Sequence, residues 1–324
     1  MPDLSVIIVN YKGWKRLKQC LDSLSVISPI DFSFEVIIID NASNDGLLET
    51  FRCRYPSFIF VPNSGNNGFA NGCNLGASIA KGETLLFLNP DTIVSEQALF
   101  GMLQELRNFN RSCIISCRQI KEDGNDEKAY GRFLSSFTLT GWLRALKKII
   151  TGIDGKNFPQ DSRCIYPDWV SGSVIMISKT DFQRIGGWDE DFWMYYEDVD
   201  LCKRLRDSGG DIIFLKDIVV EHNHGGATRV NPSITALTKT EVLISRHLYV
   251  SKHLKRFKNL IQVFLVLNNL ISFFIPAVLG LIFFFNRKMS AFSKIYARLT
   301  GYYLNSLSHG TWLSVRSVNY NKKL

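Results

Sequence analysis

Leu4-Ser5-Val6-Ile7-Ile8-Val9 is a continuous apolar run, rich in β-branched residues and followed directly by Asn10. Such a run is typical of a strand that is buried on both faces of a parallel sheet. Similar runs follow along the chain at Phe34–Ile39, Phe58–Val61 and Thr84–Leu88, and helical stretches separate most of them. This succession predicts βαβ units and therefore an α/β fold with a mainly parallel central sheet.

Three later runs predict further strands, at Ile114-Ile115, Val174–Ile177 and Asp211–Leu215. The segment Lys121–Asp168 between the first two is less regular and carries several glycines. We interpret it as a variable insertion that contacts an acceptor or a membrane surface, because plain loops of this length are uncommon. Trp169–Ser173 directly precedes a strand and is expected to line the functional site.

Polar side chains gather where the predicted strands end. Right-handed crossovers bring the carboxyl ends of parallel strands to one edge of the sheet, so these side chains should form a polar rim of nucleotide size. A glycine-rich loop, Asn63–Gly76, adds free N–H groups at a helix start, a position suited to a diphosphate. This loop has neither the dinucleotide fingerprint spacing nor a Walker lysine. The rim residues are Asn10, Asp40, Asn41, Ser43, Asn67, Asn89 and Asp91.

The stretch Gly187–Arg204 combines acids and aromatic residues with a helical pattern. Apolar residues recur at helical spacing from Glu197 onward, so Glu197 and Asp198 fall in the first turn, where the helix dipole stabilises a carboxylate. A base at this position, beside aromatic side chains, is suited to deprotonating a sugar hydroxyl; ordinary helix capping over an aromatic core is the alternative. The aromatic residues are Trp188, Phe192, Trp193, Tyr195 and Tyr196.

The net charge of +8 is unevenly distributed along the 324 residues. Residues 239–324 hold 13 of the 38 Lys and Arg and a single acid, Glu241, so this region carries +12 and the rest of the chain −4. The apolar run Ile261–Phe285 interrupts the basic region, which favours anionic lipid over nucleic acid as its partner. It could just span a bilayer, lie in its surface as a helix or hairpin, or be a buried helix of a soluble domain; the basic residues on both flanks favour the surface position.

The seven cysteines are irregularly spaced, which indicates neither a zinc site nor a disulfide framework. We expect free, reduced thiols and a chain that faces the cytosol. The first strand already begins at Leu4, so no signal peptide is expected before it.

These residues, in this order, resemble the family-2 inverting glycosyltransferases, in particular their bacterial rhamnosyltransferase-like branch. The resemblance covers about residues 3 to 230. Each matching piece alone is weak evidence for the family, whereas the whole set in this order is specific for it. The matching pieces are Val6–Tyr11, Asp40–Ser43, Asn67–Asn74, Leu88–Asp91, Gly186–Phe192, Glu197–Leu201 and the loop that holds His222 and His224.

The resemblance implies a GT-A-type nucleotide-sugar-binding domain, which we assign to residues 1–238. The basic charge and apolar run of residues 239–324 predict a C-terminal, helical, membrane-associating region. The resemblance also implies that Asp198 is the general base that deprotonates the acceptor hydroxyl and that Glu197 orients the acceptor. The acceptor side would be formed by Trp188, Trp193 and Tyr196.

On the donor side, the resemblance implies that Asp40 reads the pyrimidine base with Asn10 nearby. Asp91 would bind the Mg²⁺ or Mn²⁺ that bridges the diphosphate, with one of His222 and His224. The family usually has a pair of metal-binding aspartates at this position. This chain has Asn89-Pro90-Asp91 there, so only the carboxylate of Asp91 remains. The other nucleotide-binding residues implied are Asn41, Ser43, Asn67, Gly68, Asn74 and Asn89.

The expected function is transfer of L-rhamnose from dTDP-L-rhamnose to a lipid-linked saccharide, at the cytoplasmic face of the bacterial inner membrane, in O-antigen or capsule assembly. UDP-hexoses and UDP-galactofuranose remain alternative donors. A sugar-phosphate nucleotidyltransferase would need a loop rich in glycine and arginine after the first strand, where this chain has Asn10–Trp14. A non-catalytic scaffold is the third alternative, and the acceptor sugar, the linkage and the oligomeric state stay open.

Overall fold

The computed structural model describes residues 1–135, 138–151, 158–223, 232–283 and 285–322 of the chain. Strands and helices alternate through the first hundred residues, as the sequence predicts. The strands are β1 (Leu4–Asn10), β2 (Phe34–Asp40), β3 (Ile59–Pro62), β4 (Thr84–Leu88), β5 (Thr92–Ile93), β6 (Cys113–Ile120), β7 (Tyr130–Gly131), β8 (Cys164–Ile165), β9 (Trp169–Val170), β10 (Val174–Ser178) and β11 (Asp211–His222). The helices are α1 (Trp14–Ser25), α2 (Leu47–Arg54), α3 (Phe69–Ile79), α4 (Glu96–Asn108), α5 (Gly141–Thr151), α6 (Lys179–Arg184), α7 (Glu197–Asp207), α8 (Pro232–His253), α9 (Lys258–Ile282) and α10 (Arg287–His309).

The main sheet has the order β3-β2-β1-β4-β10-β6-β11-β5, with β8 paired to β11, and β7 and β9 form a separate ribbon. The first four strands in this order pair in parallel, as do β6 and β11, and the parallel pairs hold most of the aligned residues. β10 is antiparallel to both of its neighbours. The prediction of an α/β fold with a mainly parallel sheet is therefore confirmed. Three of its strands, β5, β8 and β10, run antiparallel to their neighbours, which the runs of apolar residues did not indicate.

The core explains why β1 lies at the centre of this sheet. All seven residues of β1 are buried, with α1 packed on one face of the sheet and α3 on the other. Helix α3 approaches the strand closely because Gly76 faces it: a Cβ at this position would lie 2.4 Å from Ile7 Cγ2. Gly76 thus lets the second half of α3 pack directly against the middle of β1.

Two predicted regions differ in extent from the structure. β11 continues past the predicted limit at Leu215 to His222, and its register with β6 shifts between Leu215 and Val219. The predicted insertion Lys121–Asp168 contains β7, α5 and β8 within its described parts. Cys113 and Cys117 are buried free thiols, as predicted.

The chain divides into two compact units. The first comprises Met1–Phe133, Asp154–Asp189 and Glu197–His224, and the second comprises Leu134–Ile153, Glu190–Tyr196 and Gly225–Leu324. The domain boundary predicted at residue 238 falls inside α8. One boundary at this position cannot describe the second unit, because the earlier segments Leu134–Ile153 and Glu190–Tyr196 also belong to it.

The second unit is built on α8, α9 and α10, which share a buried polar network. His247 Nδ1 lies 2.5 Å from Gln262 Oε1, and Gln262 Nε2 donates to the His247 carbonyl at 2.8 Å. The Tyr303 hydroxyl lies 3.1 Å from His247 Nε2 and accepts from Asn269 Nδ2 at 2.8 Å. Burial lowers the pKa of His247 to about 4, so its ring is neutral at pH 7 and serves as both donor and acceptor. Each of the three helices contributes to this network.

Candidate active site

Asn10, Asp40 and Ser43 form a buried cluster at the ends of β1 and β2. Asn10 Nδ2 donates to Asp40 Oδ1 at 3.1 Å, and the backbone N–H of Ser43 donates to Asp40 Oδ2 at 2.9 Å. The Ser43 hydroxyl also donates to Asp40 Oδ1, at 2.5 Å, and accepts from the Lys12 N–H. Asp40 is 4 % exposed, and both of its oxygens have protein partners. The structure brings the three predicted residues together, and recognition of a base by Asp40 stays a prediction.

Asn41 connects the end of β2 to the glycine-rich loop. Its Nδ2 donates to the Gly68 carbonyl at 2.9 Å, and its Oδ1 accepts from Asn63 Nδ2 at 2.9 Å. Gly68 precedes α3 with φ of 96°, a backbone conformation that side-chain-bearing residues rarely adopt. Asn67 donates to the Ser64 hydroxyl at 3.3 Å. Asn41 therefore links the end of β2 to the glycine-rich loop and to the residue before α3.

Asn74 and Trp188 are hydrogen-bonded to each other. Asn74 Oδ1 accepts from the Trp188 N–H and its Nδ2 donates to the Trp188 carbonyl, each at 2.9 Å. Both amide groups of Asn74 thus hold the Trp188 backbone, and a nucleotide contact by Asn74 stays a prediction. The Trp188 ring is 2 % exposed and packs edge-on against Phe69 and Phe87. The Trp188 ring therefore belongs to the core, and acceptor contact by Trp188 stays a prediction.

Asp91 and His222 meet at the junction of β5 and β11. Asp91 Oδ1 lies 3.2 Å from His222 Nε2, and Glu127 Oε2 lies 2.7 Å from His222 Nδ1. Burial lowers the pKa of His222, but Asp91 and Glu127 outweigh burial and raise the pKa above its usual value. Asn89, two residues before Asp91, donates its backbone N–H to the Ser173 carbonyl at 2.9 Å. His224, the other predicted ligand, lies outside the described residues.

The predicted divalent cation can be tested against this geometry. Among the residues that the structure describes, no group of three or more His, Cys, Asp or Glu could hold a metal ion by itself. Asp91 Oδ1 and His222 Nε2 nevertheless converge, and Glu127 at Nδ1 favours the tautomer that leaves Nε2 available as a ligand. Two protein ligands suit Mg²⁺ or Mn²⁺ when substrate phosphates and water complete the coordination. The residues present therefore fit a metal shared with a diphosphate.

Glu197 and Asp198 open α7, as the sequence predicts. Asp198 Oδ2 accepts from the Gly172 N–H at 3.0 Å, and Oδ1 accepts from the Val199 N–H at 2.8 Å. Burial raises the pKa of Asp198. Burial also raises the pKa of Glu197 well above its usual value, and the adjacent Asp198 adds to this. The helix start thus carries one acid held by two backbone donors and a second acid whose protonated form is favoured.

Trp193 and Tyr196, the other predicted acceptor residues, belong to the second unit. Trp193 is 3 % exposed, and the Arg316 guanidinium lies 5.0 Å from its ring centre. Tyr196 is half-buried, packs against Tyr249 at 5.7 Å between ring centres, and has a positive φ of 67°. Acceptor contact by these two residues stays a prediction.

Sequence reasoning missed Glu127 and the cavity beside it. The cavity has a volume of about 590 Å³, and Glu127 is one of its lining residues. Tyr130, Phe158 and Phe214 give it an aromatic wall, and Lys128 and Lys216 add positive charge. These residues come from the insertion and from two strands far apart in sequence, and no local pattern indicates that they meet. Gly172, which holds Asp198, does lie in the stretch predicted to line the site.

Comparison with known proteins identifies the relatives of this arrangement. Residues 5–163 match the family described as glycosyl transferase family 2, and residues 160–225 match the N-terminal domain of galactosyltransferase. A low-salt glycan biosynthesis hexosyltransferase of Haloferax volcanii is 29% identical over 64% of this chain and 62% of its own length. A rhamnosyltransferase of Escherichia coli is 28% identical over 63% and 77%, respectively. An N-acetylglucosaminyl-diphospho-decaprenol L-rhamnosyltransferase of Mycobacterium tuberculosis is 25% identical over 71% and 79%.

Two solved structures share the GT-A-like fold at low sequence identity. GalNAc-T7, crystallised with UDP, GalNAc and Mn²⁺, has a TM-score of 0.54 and 19% identity over 78% of this chain and 51% of its own. The mannosyltransferase PcManGT of Pyrobaculum calidifontis, in complex with GDP-Man and Mn²⁺, has a TM-score of 0.55 and 15% identity over 94% and 87%. At these identities the likeness concerns the fold alone.

Proposed function

We propose that this chain, in which residues 5–163 match glycosyl transferase family 2, is an inverting, metal-dependent glycosyltransferase. The proposed reaction moves a sugar from a nucleoside diphosphate to a hydroxyl of a lipid-linked saccharide. The proposed donor is dTDP-L-rhamnose, supported by two rhamnosyltransferases among the relatives. The decaprenol-linked acceptor in the name of one of them supports a lipid-linked acceptor here. We further propose that the enzyme acts in bacterial O-antigen or capsule synthesis at the cytoplasmic face of the inner membrane.

The observation that carries the proposal is the position of Asp198. Backbone N–H groups of Gly172 and Val199 hold its two oxygens at the start of α7. Burial raises its pKa, which makes it a stronger base than an exposed aspartate. In the proposed step Asp198 takes the proton of the acceptor hydroxyl, the hydroxyl oxygen bonds to the anomeric carbon from the opposite side, and the bond to the diphosphate breaks. Glu197, whose pKa burial raises, can donate a hydrogen bond to the acceptor.

The donor side supports the same reaction. Asp91 and His222 would hold a divalent cation, which when bound neutralises charge on the departing diphosphate. Asn41 and Gly68 fix the start of α3, whose backbone N–H groups are suited to phosphate oxygens. The two GT-A-like structures crystallised with Mn²⁺ and a nucleotide or nucleotide sugar support this assignment.

A donor screen with an active-site variant tests the proposal. Purified protein would be titrated with dTDP-rhamnose, UDP-glucose, UDP-galactofuranose and GDP-mannose, with Mn²⁺ and again with EDTA. We expect binding of dTDP-rhamnose that EDTA weakens. Asp198→Asn should lower kcat by about 10²- to 10⁴-fold, the range for a general base, with donor affinity unchanged. Asp207→Asn, at the exposed end of the same helix, is the matched control.

The outcomes separate the alternatives. Selective binding of a UDP-sugar would retain the fold and the mechanism but replace the donor. Full activity of Asp198→Asn would remove the assignment of the base. Absence of binding by every nucleotide sugar would favour the non-catalytic scaffold, and release of diphosphate from dTTP with a sugar phosphate would favour the nucleotidyltransferase.

A further inference from the structure

One face of α9 is committed to polar partners inside the second unit. Gln262 and Asn269 are 3 % and 2 % exposed and belong to the network with His247 and Tyr303. Further along the helix, Gly280 allows the closest approach of α10, because a Cβ there would lie 2.3 Å from the Met289 carbonyl oxygen. The inner face of α9 is thus fixed to α8 and α10 over its whole length.

The opposite face of α9 is apolar and exposed along the same length. Its side chains recur every three or four residues, so they form one stripe on the helix. A helix of 25 residues is about 37 Å long at 1.5 Å per residue. By length and composition α9 is, among the described residues, the one helix that could cross a membrane, with a mean hydropathy of 2.1. The stripe consists of Leu260, Val263, Leu267, Ile271, Phe274, Val278 and Leu281.

Helix α5 adds a second apolar surface within the same unit. Trp142 Nε1 donates to Asn268 Oδ1 of α9 at 3.1 Å, and its ring packs edge-on against Phe264. No residue of α5 is fully buried; Ile149 and Ile150 are 81 % and 72 % exposed. Their apolar side chains lie on a helix that also carries Arg144, Lys147 and Lys148. This composition is typical of a helix that lies in a membrane interface.

The packing of α9 is incompatible with a simple crossing. If α9 crossed alone, Gln262 and Asn269 would lose their partners in an environment without water. If it crossed with α8 and α10, charged residues such as Arg246 and Arg298 would enter the bilayer, at about 2.5–3.5 kcal/mol each near its centre. A helix parallel to the membrane surface avoids both costs, because its inner face keeps its partners while its apolar stripe enters the lipid.

We propose that the stripe of α9 and the exposed face of α5 together form one in-plane contact with an anionic lipid surface. The charge supports this occupant: residues 239–324 carry 13 Lys and Arg and one acid, and α5 adds three cations. Anionic headgroups attract basic segments by about 1 kcal/mol per residue, and the apolar faces supply the remaining affinity. The proposal rests on the proposed membrane location but not on glycosyl transfer.

Vesicle sedimentation of the full chain tests the lipid contact. Vesicles of phosphatidylcholine with phosphatidylglycerol should bind the chain, and pure phosphatidylcholine should bind it more weakly, with a difference that high salt removes. Ile149→Ser with Ile150→Ser, and separately Ile271→Ser, should each lower the partition coefficient about tenfold or more, given the apolar area lost. Ile30→Ser is the matched control, since Ile30 is a 97 % exposed isoleucine of the first unit.

Cysteine labelling distinguishes a helix in the plane from a crossing. In a Cys53→Ser background, Lys255→Cys and Lys288→Cys place thiols at exposed positions before and after α9. A membrane-impermeant maleimide added outside sealed proteoliposomes should label both thiols equally within each vesicle population. Opposite accessibility of the two positions would overturn the proposal, as would unchanged binding of both isoleucine variants. A dimer that the isoleucine variants dissociate would assign the face to a second copy of the chain and would also overturn it.

The same variants separate this proposal from the proposed reaction. Donor binding, measured without lipid, should be the same in the isoleucine variants and the unmodified chain. Absence of donor binding by the unmodified chain would refute the proposed function and leave the lipid contact standing. Absence of vesicle binding with intact donor binding would refute the lipid contact and leave the proposed function standing.

Discussion

Glu241 of α8 gives the sharpest prediction about stability. Its carboxyl is 3 % exposed, accepts from the Ser314 hydroxyl at 3.2 Å, and lies 4.0 Å from Arg316 Nε. Burial raises the pKa of Glu241 from 4.5 to about 7, although Ser314, Arg316 and Arg298 oppose the effect. The folded chain therefore holds a proton that the unfolded chain has lost between these two pH values.

The magnitude follows from linkage between protonation and folding. A pKa raised in the folded state contributes stability that is fully present below pH 4.5 and is lost as the pH rises through about 7. Each pKa unit corresponds to about 1.36 kcal/mol, so the loss amounts to about 3 kcal/mol. Glu241→Gln removes the titration and keeps an oxygen that can accept from Ser314. We expect the unfolding free energy of the variant, relative to that of the unmodified chain, to rise by about 3 kcal/mol between pH 4.5 and pH 8.

Denaturant unfolding at pH 4.5, 6 and 8, followed by near-ultraviolet circular dichroism, measures this difference. Glu83→Gln, at an exposed glutamate directly before β4, is the control for the loss of a surface carboxyl and is measured at the same pH values. An equal offset for Glu241→Gln at all three pH values would refute the reasoning, since it would mean that the carboxyl titrates alike in the folded and unfolded chains.

Two further predictions concern the candidate metal site and the packing of α3. Glu127→Gln should weaken Mn²⁺ binding in the presence of a nucleoside diphosphate by about 10- to 100-fold, because Glu127 orients the His222 ring; calorimetry would measure it, and unchanged affinity would exclude that role. Gly76→Ala should cost about 1–3 kcal/mol of unfolding free energy, because its Cβ would overlap Ile7. The control is Gly301→Ala in α10, whose Cβ would meet nothing within 4 Å and which should stabilise the chain by about 0.5–1 kcal/mol. Equal effects at the two glycines would contradict the close packing of α3.

The first half of the fold was predictable because its signals are local. Thr84–Leu88 is reproduced residue for residue, and α7 begins at Glu197 as expected. The reversal of β10 could not be read from Val174–Ile177, since a buried run has the same pattern in either direction. The extension of β11 beyond Leu215 depends on a shift of register against β6, which is a property of the pair and not of one strand.

The candidate site was predictable only in part, for a related reason. Asp91 and His222 are 131 residues apart and were paired through the family resemblance; the structure brings them together. Glu127 has no neighbour in sequence that indicates its contact with His222. The burial of the Trp188 ring is not visible in the sequence either, because it depends on residues distant in sequence that pack against it, here Phe69 and Phe87.

The assignment of Glu190–Tyr196 to the second unit limits how this chain can be recombined with its relatives. Ser245 and Ser317 donate to the carbonyls of Met194 and Glu190, and Lys252 pairs with Asp191 at 2.6 Å. The seven residues that lead into Glu197 are thus held by the C-terminal helices and the segment after them. A chimera that joins residues 1–238 to the C-terminal region of a relative would separate this segment from its partners. A chimera with a relative should therefore take Glu190–Tyr196 and the C-terminal region from the same parent chain.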